Sequence, residues 1–397
     1  MRKLSILIAL VLLVPAAAQA KSLDELLVDK GIITKAEAMA AHGGGAKVYY
    51  KGGTRIEVPD QGFSVKINTQ LQPRYEFTDN DDGVDNVSSF RMRRARVQLS
   101  GHALNKEFSY KLQYDLVGRT AGDGSRAPNL RDAYLNWHAC DTAWIRMGQW
   151  KTGVSRQYNN SSAKLQIADR SRASDYFDLG RQNGAGVGGE VMDGQVSWTA
   201  SVYNGSSTGE GINRGGVDTN HAGVVTLRAD LMGEMNAHSE GDVDWTDDAA
   251  VNAGLAYAYS DDNVAGLGQD HHSFNADVNF KYQGWSLFGE FYYSLIDPDG
   301  TGSAGDIEDI GFYVQGGYFI QPKKLEIAAR VGYIDFEDDA GSAAFDDETE
   351  ASASINYYWW KHQLKAQLGY AFVTEGGRSG SADVDTSRWL LQLSSWF

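Results

Sequence analysis

Hydrophobic and polar positions alternate one by one through most of this chain. From Gly62 to Phe77, GFSVKINTQLQPRYEF, the residues Phe63, Val65, Ile67, Thr69, Leu71, Tyr75 and Phe77 share one parity, while Ser64, Lys66, Asn68, Gln70, Gln72, Arg74 and Glu76 share the other. A period of two belongs to a strand, whose successive side chains point to opposite faces. The pattern returns in Phe90–Leu104, Phe108–Val117, Leu130–His138, Ala143–Lys151, Ala185–Val191, Val196–Asn204 and Ala222–Leu231. The second half adds Val251–Tyr259, Phe274–Gln283, Trp285–Leu295, Ile310–Ile320, Leu325–Phe336, Ala351–Trp360, Leu364–Val373 and Arg388–Phe397. Many of these segments exceed the ~5–6 residues of a soluble strand and suit the roughly 9–11 residues of a tilted strand crossing a bilayer.

The connections alternate in length. Leu104-Asn105-Lys106, Asp193-Gly194, Gln283-Gly284, Gln321-Pro322 and Lys361-His362 are tight, whereas 78–89, 152–184, 205–221, 261–273, 297–309, 337–350 and 374–387 are long and polar. In membrane barrels short turns face the periplasm and long loops face outward. One connection breaks the rhythm: Met232 to Ala249 counts as periplasmic but is long. Aromatics gather near strand ends (Tyr75, Phe77, Trp137, Trp144, Tyr257, Tyr259, Trp285, Tyr292, Tyr293, Tyr357, Tyr358, Trp359 and Trp396) and are read as two interfacial girdles. The predicted fold is all-β: a transmembrane antiparallel up-and-down β-barrel of about 16 strands with a short N-terminal helical segment. The competing reading is a soluble sandwich or propeller, in which the apolar parity would face a dry core.

The N-terminus sets the compartment. Arg2 and Lys3, an apolar run from Leu4 to Val14, and Ala18-Gln19-Ala20 form a secretory signal cleaved after Ala20, too short to span a membrane. Residues 21–46 are read as a periplasmic helical segment and linker, with capping boxes at Ser22/Glu25 and Thr34/Glu37 and a helix stop at Gly31. Residues 47–60 form a short hairpin around Gly52-Gly53, and 61–397 form the barrel, with the long loop 152–184 folding inward. The chain ends Trp396-Phe397, a terminal aromatic similar to the assembly signal of outer-membrane barrels. Lone Cys140 permits no internal disulfide. A formal charge of −16 argues against nucleic acid as partner. No cofactor or metal site is expected, and the acidic connections (Asp79, Asp81, Asp82, Asp85; Asp242, Asp244, Asp247, Asp248; Asp338, Asp339, Asp346, Asp347, Glu348) are read as solvated loops, with calcium or lipopolysaccharide-bound cations bridging the outer loops as the alternative.

If the apolar parity meets outer-membrane lipid, the opposite parity lines a lumen. Its basic members are Lys66, Arg74, Arg94, Arg96, Lys111, Arg228, Lys281, Arg330, Lys365 and Arg388, against Glu76, Asp115, Asp132, Asp230, Asp277, Glu290 and Glu326, so the lumen leans basic. The densest cationic stretch is Arg91-Met92-Arg93-Arg94-Ala95-Arg96. Strict alternation would send Arg91 and Arg93 into lipid at a cost of about 2–4 kcal/mol near the midplane. A β-bulge at Arg93-Arg94 would instead turn Arg91, Arg93, Arg94 and Arg96 inward and Phe90 and Met92 outward. The long loop brings Arg156, Lys164, Arg170, Arg172 and Arg181, and folded inward it would narrow the pore. Guanidinium groups suit oxyanions because their planar fork donates paired hydrogen bonds.

At these residues the chain resembles the phosphate-selective porin O and P family. The matching stretches are Tyr50–Gln72, FRMRRAR (Phe90–Arg96), FSYKLQYD (Phe108–Asp115), RDAYLN (Arg131–Asn136), MGQWK (Met147–Lys151), Arg181–Val187, Tyr203-Asn204-Gly205 and NYYWWK (Asn356–Lys361). The resemblance implies a sixteen-stranded homotrimeric channel for small anions, with an arginine ladder leading to a basic constriction. Arg93, Arg94, Arg96, Lys151 and Arg170 would take up family positions along it. One departure is Lys151-Thr152-Gly153, where the family commonly has K-x-P-F-G.

The expected function is therefore an outer-membrane porin for passive diffusion of small anionic solutes, with phosphate or a related oxyanion as candidate. Its expected anion-binding residues are Arg91, Arg93, Arg94, Arg96, Lys66, Arg74, Lys111, Lys151, Arg170 and Arg172. The alternatives are a general, weakly selective porin, an outer-membrane enzyme, and an adhesin or ligand-gated barrel. An enzyme would need a Ser/His/Asp set, and His102, His138, His221, His271, His272 and His362 are scattered. A gated barrel would need a larger plug than the N-terminal segment offers.

Overall fold

Strands that are greasy on one face can cross lipid only if every backbone group pairs, which demands a closed sheet. The computed structural model describes residues 45–80, 85–104, 106–120, 126–204, 221–264, 267–298, 306–336, 345–377 and 382–397, with 28, 30–32 and 34 near Gly31. The expected signal peptide lies outside the described residues. So do the two expected helices, apart from the turn where Gly31 takes φ 66° and its N–H donates to the Val28 carbonyl at 2.9 Å.

A short hairpin, β1 (Lys47–Tyr50) and β2 (Thr54–Val58), precedes sixteen strands. They are β3 (Phe63–Asn80), β4 (Val87–Ala103), β5 (Phe108–Thr120), β6 (Arg126–Cys140), β7 (Ala143–Lys151), β8 (Arg181–Val191), β9 (Val196–Tyr203) and β10 (Ala222–Met232). Then follow β11 (Ala250–Val264), β12 (Leu267–Tyr282), β13 (Trp285–Pro298), β14 (Ile307–Gln321), β15 (Leu325–Asp335), β16 (Phe345–Trp360), β17 (Leu364–Gly377) and β18 (Val384–Trp396). Each pairs antiparallel with the next and β18 returns to β3, so the sheet closes. Each predicted segment corresponds to one strand of the barrel. Below the end of β18, the edge of β3 is taken over by β2, from Thr54↔Ile67 to Val58↔Phe63. At the junction Phe397 and Thr69 exchange backbone hydrogen bonds of 3.1 and 2.9 Å.

The two faces are inverted relative to a soluble protein. Asn68, Gln72, Arg74, Gln315, Glu326 and Lys365 are buried, while Leu71, Val314, Ile327 and Leu368 on the same strands are exposed. An oily exterior over a polar, hydrogen-bonded interior excludes the sandwich and matches a bilayer solvent. The girdle reading needs one correction: Tyr292 and Tyr358 are buried inside the barrel, and Trp144 lines a cavity within it, whereas Tyr257, Trp285, Tyr357 and Trp359 are exposed. Parity, and not proximity to a strand end, decides where an aromatic goes.

Two bulges re-aim arginines. Gln72 pairs with Arg94 and Pro73 with Met92, which leaves Arg93 as the extra residue of β4. Phe90 then stands outward at 86% exposure, and Met92 with it. Between β5 and β6, Gln113 pairs with Asp132 and Tyr114 with Leu130, so Arg131 is extra in the same way.

Two segments enter the barrel. Residues 152–180, between β7 and β8, carry α1 (Arg156–Asn159) and α2 (Arg172–Phe177), each N-capped by a serine: Ser155 accepts from Tyr158 N and Ser171 from Ser174 N. Phe177 of α2 packs on Phe288, Tyr292 and Tyr313 of the wall. The second is the connection from Gly233 to Ala249, within the stretch Met232 to Ala249 that counts as periplasmic but is long. Its residues Ser239 to Val243 are buried, and Asp242, read as part of a solvated acidic run, is sealed in by accepting from Thr246 N, Thr246 Oγ1 and Gly284 N.

Candidate functional site

The wall from β13 to β16 holds the first inserted segment with carboxylates. Glu290 on β13 accepts from the backbone amides of Arg156 (3.0 Å) and Gln157 (2.6 Å) and from the hydroxyls of Tyr292 (2.9 Å) and Tyr313 (2.8 Å). Glu326 on β15 accepts from Gln166 (2.6 Å), Asn356 (2.9 Å) and Tyr358 (2.5 Å). On β16, Glu350 takes the amide of Arg172 at 2.9 Å and pairs with Arg330, and Glu348 pairs with the Arg172 side chain. Backbone N–H groups of an inserted loop must find acceptors, and these acids supply them.

The two inserted segments also grip each other. Glu240, from the periplasmic side, accepts from Gln157 (3.1 Å), the Gln166 amide (2.8 Å) and Gln315 (3.0 Å), and its own N–H donates to the Lys164 carbonyl. Both segments are thereby held together beside one wall.

The remaining space runs along β3 to β9 and is basic. An outer cavity of about 300 Å³ is lined by Arg93, Arg94, Arg96, Arg131, Arg170 and Arg181 against Asp115 and Asp175. A second cavity of about 420 Å³ shares Arg96 and Arg181 with the first and adds Lys66, Lys111, Arg146, Lys151, Lys164 and Arg228, with Asp132 its one carboxylate. Lys66 continues into a third, periplasmic opening of about 830 Å³ that also holds Arg55, His102 and Lys106. Since β4 descends from the long-loop end to the short-turn end, Arg93, Arg94, Arg96 and then Lys66 follow one another down this wall.

Carboxylates set several of these cations. Arg96 pairs with Asp115 and donates to Ser162 of the inserted loop, while Arg181 and Lys111 share Asp132, each at 2.7 Å. Lys151 donates to the carbonyls of Asn159 and Asn160, and Arg170 to those of Gln157, Tyr158 and Asn160, so both lash the loop while lining a cavity. Arg74 grips Asp169 through two bonds of 2.7 and 3.0 Å, and Arg93 and Arg388 lie at 3.5 and 3.2 Å from the same carboxylate. Burial alone would raise the Asp169 carboxyl; Arg74, Arg93 and Arg388 instead hold it well below the usual range. Asp178, by contrast, is pushed up to about 7 by burial, against hydrogen bonds from Ser155 N and Gly180 N.

Of the ten residues expected from sequence, Arg93, Arg94, Arg96, Lys66, Lys111, Lys151 and Arg170 line the connected cavities. Arg91 turns inward but is paired with Glu76, and Arg74 is consumed by Asp169 and Glu76. Arg172 does not join them: it pairs with Glu348 and Glu375 on β16 and β17. The inward lean toward positive charge is thus a property of one wall, because Arg330 and Arg156 are matched to Glu350 and Asp277. Sequence reasoning passed over Arg131, hidden by its bulge, and Arg146, whose parity with Trp144 and Trp150 on β7 was a readable signal. At the periplasmic opening Ser64 meets His102 (2.7 Å) and Ser109 meets His138 (2.8 Å), and among the described residues neither ring has a carboxylate partner to complete a triad.

The model for phosphate-selective porin O and P matches residues 65–394. The chain belongs to that family. A porin of this kind is a channel of the outer membrane. A relative from Aquifex aeolicus (strain VF5), an uncharacterised protein, is 24% identical over 94% of this chain and 95% of its own length. Among solved structures, the anion-selective porin from Comamonas acidovorans superposes with a TM-score of 0.60 at 13% identity, covering 84% of this porin and 100% of that one. The outer-membrane channel DcaP of Acinetobacter baumannii gives 0.61 at 14% identity over 85% and 98%. At such identities the likeness concerns the fold.

Proposed function

We propose that this porin conducts small anions passively, with phosphate or a related oxyanion as solute, along the β3–β9 wall. The observation that carries the reading is the unbroken succession of basic cavities, six arginines against two aspartates outside and then a chamber with Asp132 as its single acid. A charged wall beside low-dielectric protein concentrates counter-ions in a narrow path, and guanidinium forks offer an oxyanion successive weak sites from which it can still leave. In this reading Arg93, Arg94, Arg96, Arg131 and Arg181 meet the solute first, Lys66 and Lys111 afterwards, and Lys151 and Arg170 hold the constricting loop while adding charge. Arg91, Arg74 and Arg172 contribute through the carboxylates they position. The family further implies export after cleavage at Ala20 and assembly as a homotrimer in contact with outer-membrane lipid and lipopolysaccharide.

A second reading, a weakly selective general porin, is favoured by the pairing of Arg96 and Arg181 with aspartates, which cancels part of their field. Reversal potentials in a planar bilayer under a potassium chloride gradient separate the two. The anion pathway predicts a clear preference for chloride that drops roughly 10-fold when Arg96→Gln and Arg181→Gln are combined at the junction of the cavities. A preference near unity in the unmodified protein would support the general porin instead.

A further inference from the structure

Below the Arg96–Arg181 junction the pathway changes character: its wall at β6 and β7 becomes aromatic. Tyr134, Trp144 and Trp150 line the inner cavity together with Arg146. The Arg146 guanidinium carbon lies 4.2 Å from the Trp144 ring centroid, 4.3 Å from that of Tyr134 and 5.5 Å from that of Trp150. Its Nε donates to Asn136 Oδ1 at 2.7 Å. Among the described residues, no carboxylate stands within ion-pair distance of Arg146, unlike Arg96 and Arg181.

The neighbouring strand makes room for this group. Trp144, Arg146 and Gly148 face Gly188, Gly186 and Gly184 on β8, so from Gly184 to Gly188 the inner face of β8 is bare backbone. A Cβ on Gly188 would sit 2.4 Å from the Trp144 ring. Glycine here permits the close approach, and the ring can lie down against the wall. A carboxylate partner fixes a guanidinium by cancelling its charge, whereas aromatic faces fix it through their quadrupole and leave the charge in place. Arg146 is therefore a stiffened cation outside ion-pair distance of any described carboxylate, with apolar surface on either side and Asp132 elsewhere in the same cavity. Lys66 in the same cavity likewise has no ion pair with a described carboxylate.

We propose that this inner cavity is a second anion site, selective for an oxyanion borne on an aromatic ring. Arg146 takes the oxyanion with its terminal N–H groups, and Tyr134, Trp144 and Trp150 shelter the flat apolar body from water. The proposal rests on the anion pathway above and adds a substrate class to it. Inorganic phosphate uses the arginines alone and gains nothing from the rings.

The test is block of chloride current through the reconstituted porin by phenyl phosphate and by inorganic phosphate added to the periplasmic side. Phenyl phosphate is expected to half-block at a concentration roughly 10-fold lower than inorganic phosphate. Trp144→Leu should bring the two anions within about 2-fold of each other without weakening the block by inorganic phosphate, and Arg146→Gln should weaken phenyl phosphate about 10-fold. Should Trp144→Leu fail to assemble, Tyr134→Leu, which removes another ring lining the same cavity, must reduce the preference. Equal block by both anions in the unmodified porin, or a preference untouched by these substitutions, overturns the aromatic site. A channel that prefers cations would sink the anion pathway itself, so the two failures are distinguishable.

Discussion

The two walls of the lumen carry similar side chains to opposite ends. On β13, β15 and β16 the acids Glu290, Glu326 and Glu350 are turned to amides and hydroxyls of the inserted loop and of the wall itself, which leaves little charge for a solute. On β4, β6 and β7 the cations Arg93, Arg94, Arg131 and Arg146 line the cavities instead, although Arg93 also lies 3.5 Å from Asp169 of the inserted loop. The difference teaches that counting lumenal charges by sign is a poor guide to selectivity. What matters is which charges have already been used to hold protein.

The largest expected effect comes from releasing the docked wall. Glu290→Ala leaves the Arg156 and Gln157 amides without their acceptor, at about 1–3 kcal/mol for each buried donor left unmade. The loop should leave the wall, single-channel conductance should rise several-fold, and the anion preference should fall. An unchanged conductance would mean that the loop is held by its apolar contacts, among them Phe177 on Tyr292. Cutting the tie between the two inserted segments should do less. Glu240→Ala removes three hydrogen bonds but spares those to Glu290 and Glu326, so a smaller rise in conductance is expected, with selectivity kept.

The open wall can be sharpened through its bulges. Arg131→Gln removes a charge that lines the outer cavity alone, so it should lower the anion preference less than the Arg96→Gln and Arg181→Gln pair, by about 2- to 3-fold in reversal-potential measurements.

The smallest effect is a pH dependence of the loop. Asp178 has a folded value near 7, above the ordinary ~3.9 of an aspartate, so the docked loop favours its protonated form. That contribution is complete below the ordinary value and is lost as pH rises through about 7. Current flicker should therefore increase from pH 5 to pH 8, and Asp178→Asn should flatten the trend. A trend that survives the substitution would point to another group.

The strand pattern was legible in sequence because lipid and lumen impose opposite chemistry on alternate residues, and every turn of the pattern repeats that demand. Sixteen strands, the inward parity of Lys66, Arg94, Arg96 and Lys111, and the bulge at Arg93-Arg94 all follow from it. The bulge was readable because the alternative put two arginines in hydrocarbon. Arg131 offered no such contradiction, with a single charge beside Asp132, and its bulge passed unnoticed. The inserted connection from Gly233 to Ala249 could be seen only as too long. Its destination depends on Glu240 meeting Gln157, Gln166 and Gln315, partners between 74 and 83 residues away in sequence. Alternation reports the solvent on each side of a strand, a local property carried by the residue itself. Which carboxylate meets which arginine is decided by closure of the barrel and the path of two inserted segments, and no neighbour in the sequence records that choice.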